Sequence, residues 1–317
     1  THILKVGDHK KKLDPVPPGL PVVFPDLGVS VPDTASGRRS ALARWLTHPD
    51  HPLTPRVMVN RIWQFRMGTG LVETPNDFGL LGSRPLNQKL LDWLAVQFVE
   101  LGWNIRAIDR MIVLSSVYRQ STEWEESAAN ADPDNKLFWR MQPKRLEGEH
   151  IRDSILLVNG SLNPELGGPP IKVPIEQEIY EIIFTADEPA TLWPLHPDPA
   201  QHNRRSLYLL NRRTVRLPML ANFDQPDTMQ SCAIRPVSTH ALQALTLMNS
   251  PFIEQQSHRF AQKIEGECGG DATCSVRRIF ERALSRHPSA EELRLSQELL
   301  KDGGRLSDLC LAVLNRN

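Results

Sequence analysis

Apolar residues recur at three- and four-residue spacing along most of this chain, the period of helices that bury one face. Leu42, Trp45 and Leu46 share a face after Ser36, and His48-Pro49 ends that run. A second helix is predicted from Thr54 to about Met67, burying Val57, Ile62 and Phe65 and turning Arg56, Asn60, Arg61 and Gln64 away. The strongest pattern is Leu90, Leu91, Trp93, Leu94, Phe98 and Leu101, closed by Gly102. Ile105 to Tyr118 and Arg145 to Val158 continue the series, the latter ended by Asn159-Gly160. The period resumes from Ser238 through Lys263, with Ser238 as cap and Leu242, Leu245, Leu247 and Met248 facing inward. Shorter helices are expected at Ser275–Arg286, Ser289–Lys301 and Leu306–Leu314.

Three stretches break the period. Pro15, Pro17, Pro18, Pro21, Pro25 and Pro32 exclude helix near the N-terminus and predict an extended arm. Gly68, Gly70, Gly79 and Gly82 punctuate a loop over Met67–Pro85. Asn163 to Pro199 is dense in Pro and Gly, and Ile171–Phe184 reads as short extended segments. Ser206–Leu210 and Arg212-Arg213-Thr214-Val215 suggest a strand or hairpin edge. The expected fold is therefore mainly α, a multi-helix domain with a small β element around residues 171–216. Its parts would be an arm (1–35), a helical part (36–160), a Pro/Gly-rich insert (161–236) and a second helical part (237–317), joined in one compact unit.

Composition narrows the function classes. The chain has 317 residues, of which 40% are apolar, ample for a core. Lys+Arg and Asp+Glu both total 37, and a zero net charge argues against nucleic acid as the main partner. No stretch approaches the ~20 apolar residues that span a bilayer, so membrane insertion by this segment is not expected. Thr1–Lys12 carries neither an initiating Met nor an apolar signal core, so a targeting segment would lie upstream. Cys268 and Cys274 bracket a Gly-Gly-Asp turn that suits either a small-loop disulfide or two thiols. The spacing fits neither a zinc knuckle nor a haem attachment signature, so no cofactor is expected in this chain.

A set of phrases in fixed order carries a resemblance. They are Arg56-Val-Met-Val-Asn60-Arg61-Ile62-Trp63, Gly70-Leu-Val-Glu73-Thr-Pro-Asn76-Asp77-Phe78-Gly79, and Leu90-Leu-Asp92-Trp93-Leu94-Ala95. Next come Ser115-Ser-Val-Tyr118-Arg119-Gln120-Ser121, Asp132-Pro-Asp-Asn135 and Arg145-Leu-Glu147-Gly-Glu149-His150-Ile-Arg152-Asp153. Arg204-Arg205-Ser206-Leu207-Tyr208, Phe223-Asp224-Gln-Pro226-Asp227 and Gln243-Ala244-Leu245-Thr246-Leu247-Met248-Asn249-Ser250 complete the set. From about Arg38 onward the chain resembles the planctomycete-specific C-terminal domain of unknown function. That domain occurs in large envelope proteins, downstream of cytochrome-c-like and second planctomycete domains. The resemblance implies a helical fold, a cell-envelope or extracellular setting and partners upstream on the same polypeptide, a c-type cytochrome domain among them. It also implies a continuation past Asn317, and it implies no activity.

The candidate residues divide between chemistry and packing. Glu73 and Asp77 sit in a Gly-punctuated loop, where two acids suit general acid/base work, although Asp77 and Asn76 also suit turn capping. Glu147 and His150 form a single Glu-x-x-His, half of a di-iron pattern, and the alternative is a solvated face paired with Arg145 and Arg152. Arg204, Arg205, Arg212, Arg213 and Arg216 crowd one segment; an inward Arg there needs a carboxylate, with Asp224 and Asp227 the nearest candidates, or an anionic ligand. Arg235 and His240 flank Ser238 before a helix start, a setting for an anion and a base or simply for a cap. His48 and His51 have metal-ligand spacing without a third ligand, and no metal is expected. Trp193, in a Pro-rich loop, suits either sugar stacking or the core. Two readings follow: an interaction or scaffold module, or a hydrolase or lyase acting on anionic polysaccharide. The second would use Asp77, Glu73 or His240 as acid/base groups, with Arg205 and Arg235 holding the anion.

Overall fold

Side-chain caps and prolines set where the helices begin. The computed structural model describes residues 2–175, 193–213 and 215–316. Its contacts divide the chain into two compact units, Thr1–Lys144 and Arg145–Asn317, where the pattern of segments predicts one.

The first unit opens with a two-stranded antiparallel sheet, β1 (His2–Leu4) and β2 (Lys12–Pro15), followed by the Pro-rich arm. Its helices are α1 (Arg38–Leu46), α2 (Thr54–Met67), α3 (Gln88–Glu100), α4 (Ile105–Leu114) and α5 (Glu126–Ala131). Asn87 and Asn104 cap α3 and α4 by accepting from the amides of Leu90 and Ala107 at 3.0 and 3.2 Å. The core joins Val59, Trp63 and Met67 of α2 to Leu91, Leu94 and Phe98 of α3 and Ile108 and Ile112 of α4.

On α2 the buried face differs from expectation. Phe65 is 66% exposed, whereas Asn60 is fully buried beside Val59 and Trp63. The reason lies in the next loop, which doubles back on the helix. The Asn60 amide donates to the Val72 carbonyl at 3.1 Å and accepts from the Val72 amide at 2.8 Å. A Cβ on Gly70 would lie 2.6 Å from the Val72 oxygen and 2.8 Å from Asn60 Nδ2, so only glycine fits that return.

The second unit contains α6 (Gly148–Val158), α7 (Pro218–Asn222), α8 (Ala241–Asn249), α9 (Pro251–Cys268), α10 (Ala272–Leu284), α11 (Ala290–Lys301) and α12 (Leu306–Leu314). Phe260 and Ile264, Val276 and Ile279, and Leu309 and Val313 form the core of α9, α10 and α12. Ile155 of α6 packs with Phe223, Leu247 and Ile253. Cys268 and Cys274 are joined in a disulfide that ties the end of α9 to the start of α10.

The helix expected over Ser238–Lys263 is two helices, because Pro251 holds Ser250 extended and restarts the chain. On α8 the inward residues are Gln243 and Leu247, while Leu242, Leu245 and Met248 are about half exposed. Among the described residues the β element of 171–216 consists of isolated bridges, Asn163 to Arg204, Ile171 to Leu209 and Arg212 to Val215. Ser206–Tyr208 is a 3-10 turn, which prevents a continuous ladder there. The extended reading over 176–184 lies outside the described residues.

Replacing Asn60 leaves both backbone groups of Val72 buried without a partner. The Asn60→Ala variant should lose about 2–4 kcal/mol in denaturant unfolding; a change within about 0.5 kcal/mol would contradict the clamp.

Candidate functional site

The phrase Arg145–Asp153 runs into the first turns of α6, and its polar residues hold the segment 202–243 by separate contacts. Arg145 donates through Nη2 to Asp224 Oδ2 at 2.6 Å and through Nη1 to Gln243 Oε1 at 3.0 Å and to the Ser238 carbonyl. The Ser238 amide and hydroxyl donate to the same carboxylate at 2.9 and 2.6 Å. Gln243 completes the knot by donating to the Asn222 and Ser238 carbonyls. Asp224 itself is left-handed, φ +60°, a conformation that Asp tolerates better than most residues. Burial by itself would raise its carboxyl; the Ser238 donors and Arg145 outweigh that and bring it down to about 2.

Two more clamps follow one turn apart. Arg235 donates to Glu147 and to Glu149, each at 2.9 Å. Gly148 sits between those acids because a Cβ there would meet the Phe223 Cβ at 2.9 Å. Arg152 is buried and donates to the carbonyls of Arg204 and His202 at 3.0 and 2.6 Å. Burial lowers its guanidinium to about 10 against the opposing pull of Asp153. Asp153 accepts from the Ser206 amide and hydroxyl, both at 2.7 Å.

Between α6 and the 205–220 segment lies a cleft of about 380 Å³. Its lining mixes charged side chains, Glu147, Glu149, Asp153, Arg205 and Arg235, with aliphatic ones such as Leu207. The Arg205 side chain is half exposed, its Nε 3.8 Å from Asp153 Oδ2, an ion pair too long for a hydrogen bond.

Of the residues nominated from sequence, Arg205 and Arg235 line this cleft, as do Glu147 and His150 of the Glu-x-x-His pair. The inward arginine is Arg204, 2% exposed, and it has no carboxylate partner among the described residues. It lies 4.0 Å over the Tyr208 ring and donates to the carbonyls of Glu165 and Gly167. Asp224 pairs with Arg145 instead, and Asp227 accepts from the amides of Met229 and Gln230 within its own turn. Asp77 accepts from the Gly79 amide at 2.8 Å, and Asn76 accepts from Arg61. Glu73 and His240 are exposed. Trp193 is 5% exposed, donates to the Val173 carbonyl and packs on Val215, so it offers no face to a sugar.

Ser238 does not cap α8, since its hydroxyl serves Asp224 and His240 takes the N-cap position without a side-chain bond. His51 is buried against Phe24 and Trp45, and its Nδ1 accepts from the Leu53 and Thr54 amides at the start of α2. Among the described residues no three His, Cys, Asp or Glu side chains are grouped to hold a metal. Sequence reasoning missed Arg145 and Arg152 as organisers. The available signal was an Arg on each flank of Glu-Gly-Glu, a pattern that also suits a solvated face.

A family model described as PSD1, protein of unknown function (DUF1553), matches residues 38–300. No curated protein and no solved structure matches the chain.

The depressed Asp224 carboxyl gives stability a defined pH dependence. Its folded value near 2 lies below the ordinary unfolded value, so the contribution is present above about pH 4 and is lost as pH falls toward 2. Acid titration of the unfolding free energy should show this loss, on the order of 1–2 kcal/mol after discounting for solvent screening. Asp224→Asn should remove that portion of the slope; an unchanged acid limb would show that the carboxylate is not held as described.

Proposed function

The chain belongs to the PSD1 (DUF1553) family of proteins of unknown function, and we propose that it acts as an interaction module of a multidomain cell-envelope protein. In this reading the cleft over α6 receives a segment of a partner domain on the same polypeptide, and a c-type cytochrome domain is the partner implied by the resemblance. One observation carries it: each acid that lines the cleft is already engaged by a donor of the protein. Glu147 and Glu149 share Arg235, and Asp153 accepts from the Ser206 amide and hydroxyl.

A second reading, hydrolase or lyase action on anionic polysaccharide, is favoured by the meeting of Arg205, Arg235 and three carboxylates in one cleft. The two separate cleanly by experiment. Incubated with sulfated and uronic-acid polysaccharides, the folded chain should release no new reducing ends. Release that Glu149→Gln abolishes would reject the module reading in favour of the enzyme. Joined to its upstream domains, the chain should show slower amide exchange over 205–210 than it does alone; equal rates would count against docking at the cleft.

The envelope setting is supported by the disulfide between Cys268 and Cys274, since such bonds persist in oxidising compartments. Of the remaining thiols Cys232 is exposed, while Cys310 is buried and pushed up to about 12 by that burial. Protein recovered from the periplasm without reductant should therefore label rapidly at Cys232 in the native state and at Cys310 as well once unfolded. Labelling of all four cysteines on unfolding would contradict the Cys268–Cys274 disulfide and remove the support it gives the envelope setting.

A further inference from the structure

We infer that the groove between the Pro-rich arm and the end of α1 binds an oxyanion, a carboxylate or sulfate group, on the Arg44 guanidinium. The site lies within the first unit and is independent of the module reading above.

Two segments build the groove. Helical spacing puts Arg44, Thr47 and His48 at i, i+3 and i+4, one stripe along the last turn of α1 and its cap. The rest of the lining is Leu27–Ser30 of the arm together with Pro49, around a volume of about 470 Å³. That stretch of the arm is pinned on both sides. Before it, Phe24 packs on the rings of Trp45 and His51, at centroid distances of 5.6 and 5.3 Å. After it, Arg38 of α1 donates to the Pro32 carbonyl at 3.1 Å and to the Asp33 carbonyl. Within it Gly28 takes the left-handed turn, φ +69°, and its amide donates to Asp26 Oδ1 at 2.9 Å.

Charge decides what the groove takes. The titratable side chains of the lining are Arg44 and His48, and no carboxylate is among the lining residues. Arg44 is exposed, and its side chain makes no hydrogen bond or ion pair among the described residues, so its whole fork is available. His48 accepts at Nδ1 from the Asp50 amide at 3.2 Å, which leaves its hydrogen on Nε2 as a donor. The Ser30 hydroxyl is likewise unengaged among the described residues. The nearest acids in sequence lie outside the lining. Asp26 holds the Gly28 amide, and Asp50 is 3.8 Å from His48 Nδ1, too far for a hydrogen bond. In the last turn of α1 the carbonyls of Ala43 and Trp45 accept from the Thr47 and His48 amides, which offsets the negative end of the helix. A planar guanidinium engages two oxygens of one oxyanion, and the imidazole N–H and hydroxyl remain for the others. Leu27, Val29 and Pro49 add aliphatic contact for the carbon skeleton that carries the group.

The test titrates the full chain with sulfate, glucuronate and glucose at constant ionic strength, following amide shifts and the Arg44 Nε–H by NMR. At least one anion should saturate with a Kd on the order of 1–10 mM, with shifts at 28–30 and 44–48. Saturation by glucuronate alone assigns a carboxylate, and by sulfate alone a tetrahedral oxyanion. Arg44→Gln should weaken binding about tenfold, the loss of one charge-assisted pair. Arg44→Lys, which keeps the charge and loses the fork, should fall between. Both variants change an exposed side chain, and their helical circular dichroism should match the parent. Glucose shifting the same amides as strongly, saturation by neither anion, or undiminished binding by Arg44→Gln would each overturn the assignment. None of these results bears on docking at the α6 cleft, which reads out at 205–210.

Discussion

The Arg145–Asp224 ion pair is the contact on which the second unit's polar architecture depends. Both side chains are largely withdrawn from water, 19% and 14% exposed. Taking two charges out of water costs more than their attraction returns unless the remaining lone pairs and protons are satisfied. Here Ser238 supplies two donors to the carboxylate, and Gln243 and the Ser238 carbonyl accept from the Arg145 Nη1 group, while Arg145 Nε is buried without a partner among the described residues. That closure fixes Asp224 in its left-handed conformation and fixes Ser238 just before α8. The segment that carries Arg235 is thereby placed against Glu147 and Glu149.

From this knot the cleft follows. α6 meets its neighbours with Arg145, then Glu147 and Glu149, then Arg152 and Asp153, a ladder of charged groups that each grip a different point of the 202–238 segment. Gly148 lets the helix approach Phe223 closely enough for all three rungs to reach. The consequence for function is selective. Glu147 and Glu149 share Arg235, Asp153 is engaged by Ser206, and the Arg205 guanidinium makes no hydrogen bond among the described residues.

Much of the helical frame was legible in the sequence. The spans expected at Thr54 to Met67 and at Leu306 to Leu314 match the observed α2 and α12, because apolar period and local breakers act over a few residues. The disulfide at Cys268 and Cys274 was one of two readings left open, and a six-residue separation across a Gly-Gly turn made it geometrically available. The errors share a cause. Asn60, Gln243 and Ser238 look like surface or capping residues, yet each turns inward to meet backbone or charge that the chain brings back from elsewhere. Arg145 meets its partners across 79 to 98 residues of sequence, a separation that no local period encodes. Arg204 shows the same limit: its partners are carbonyls and a tyrosine ring, which carry no sequence signature.

The most direct measurement of this account is a double-mutant cycle on Arg145→Met and Asp224→Asn, read by equilibrium unfolding of the second unit's transition. If the pair organises the loop as described, each single variant is strongly destabilising and the two are coupled by about 2–3 kcal/mol. Losses that simply add, with no coupling beyond about 0.5 kcal/mol, would contradict it.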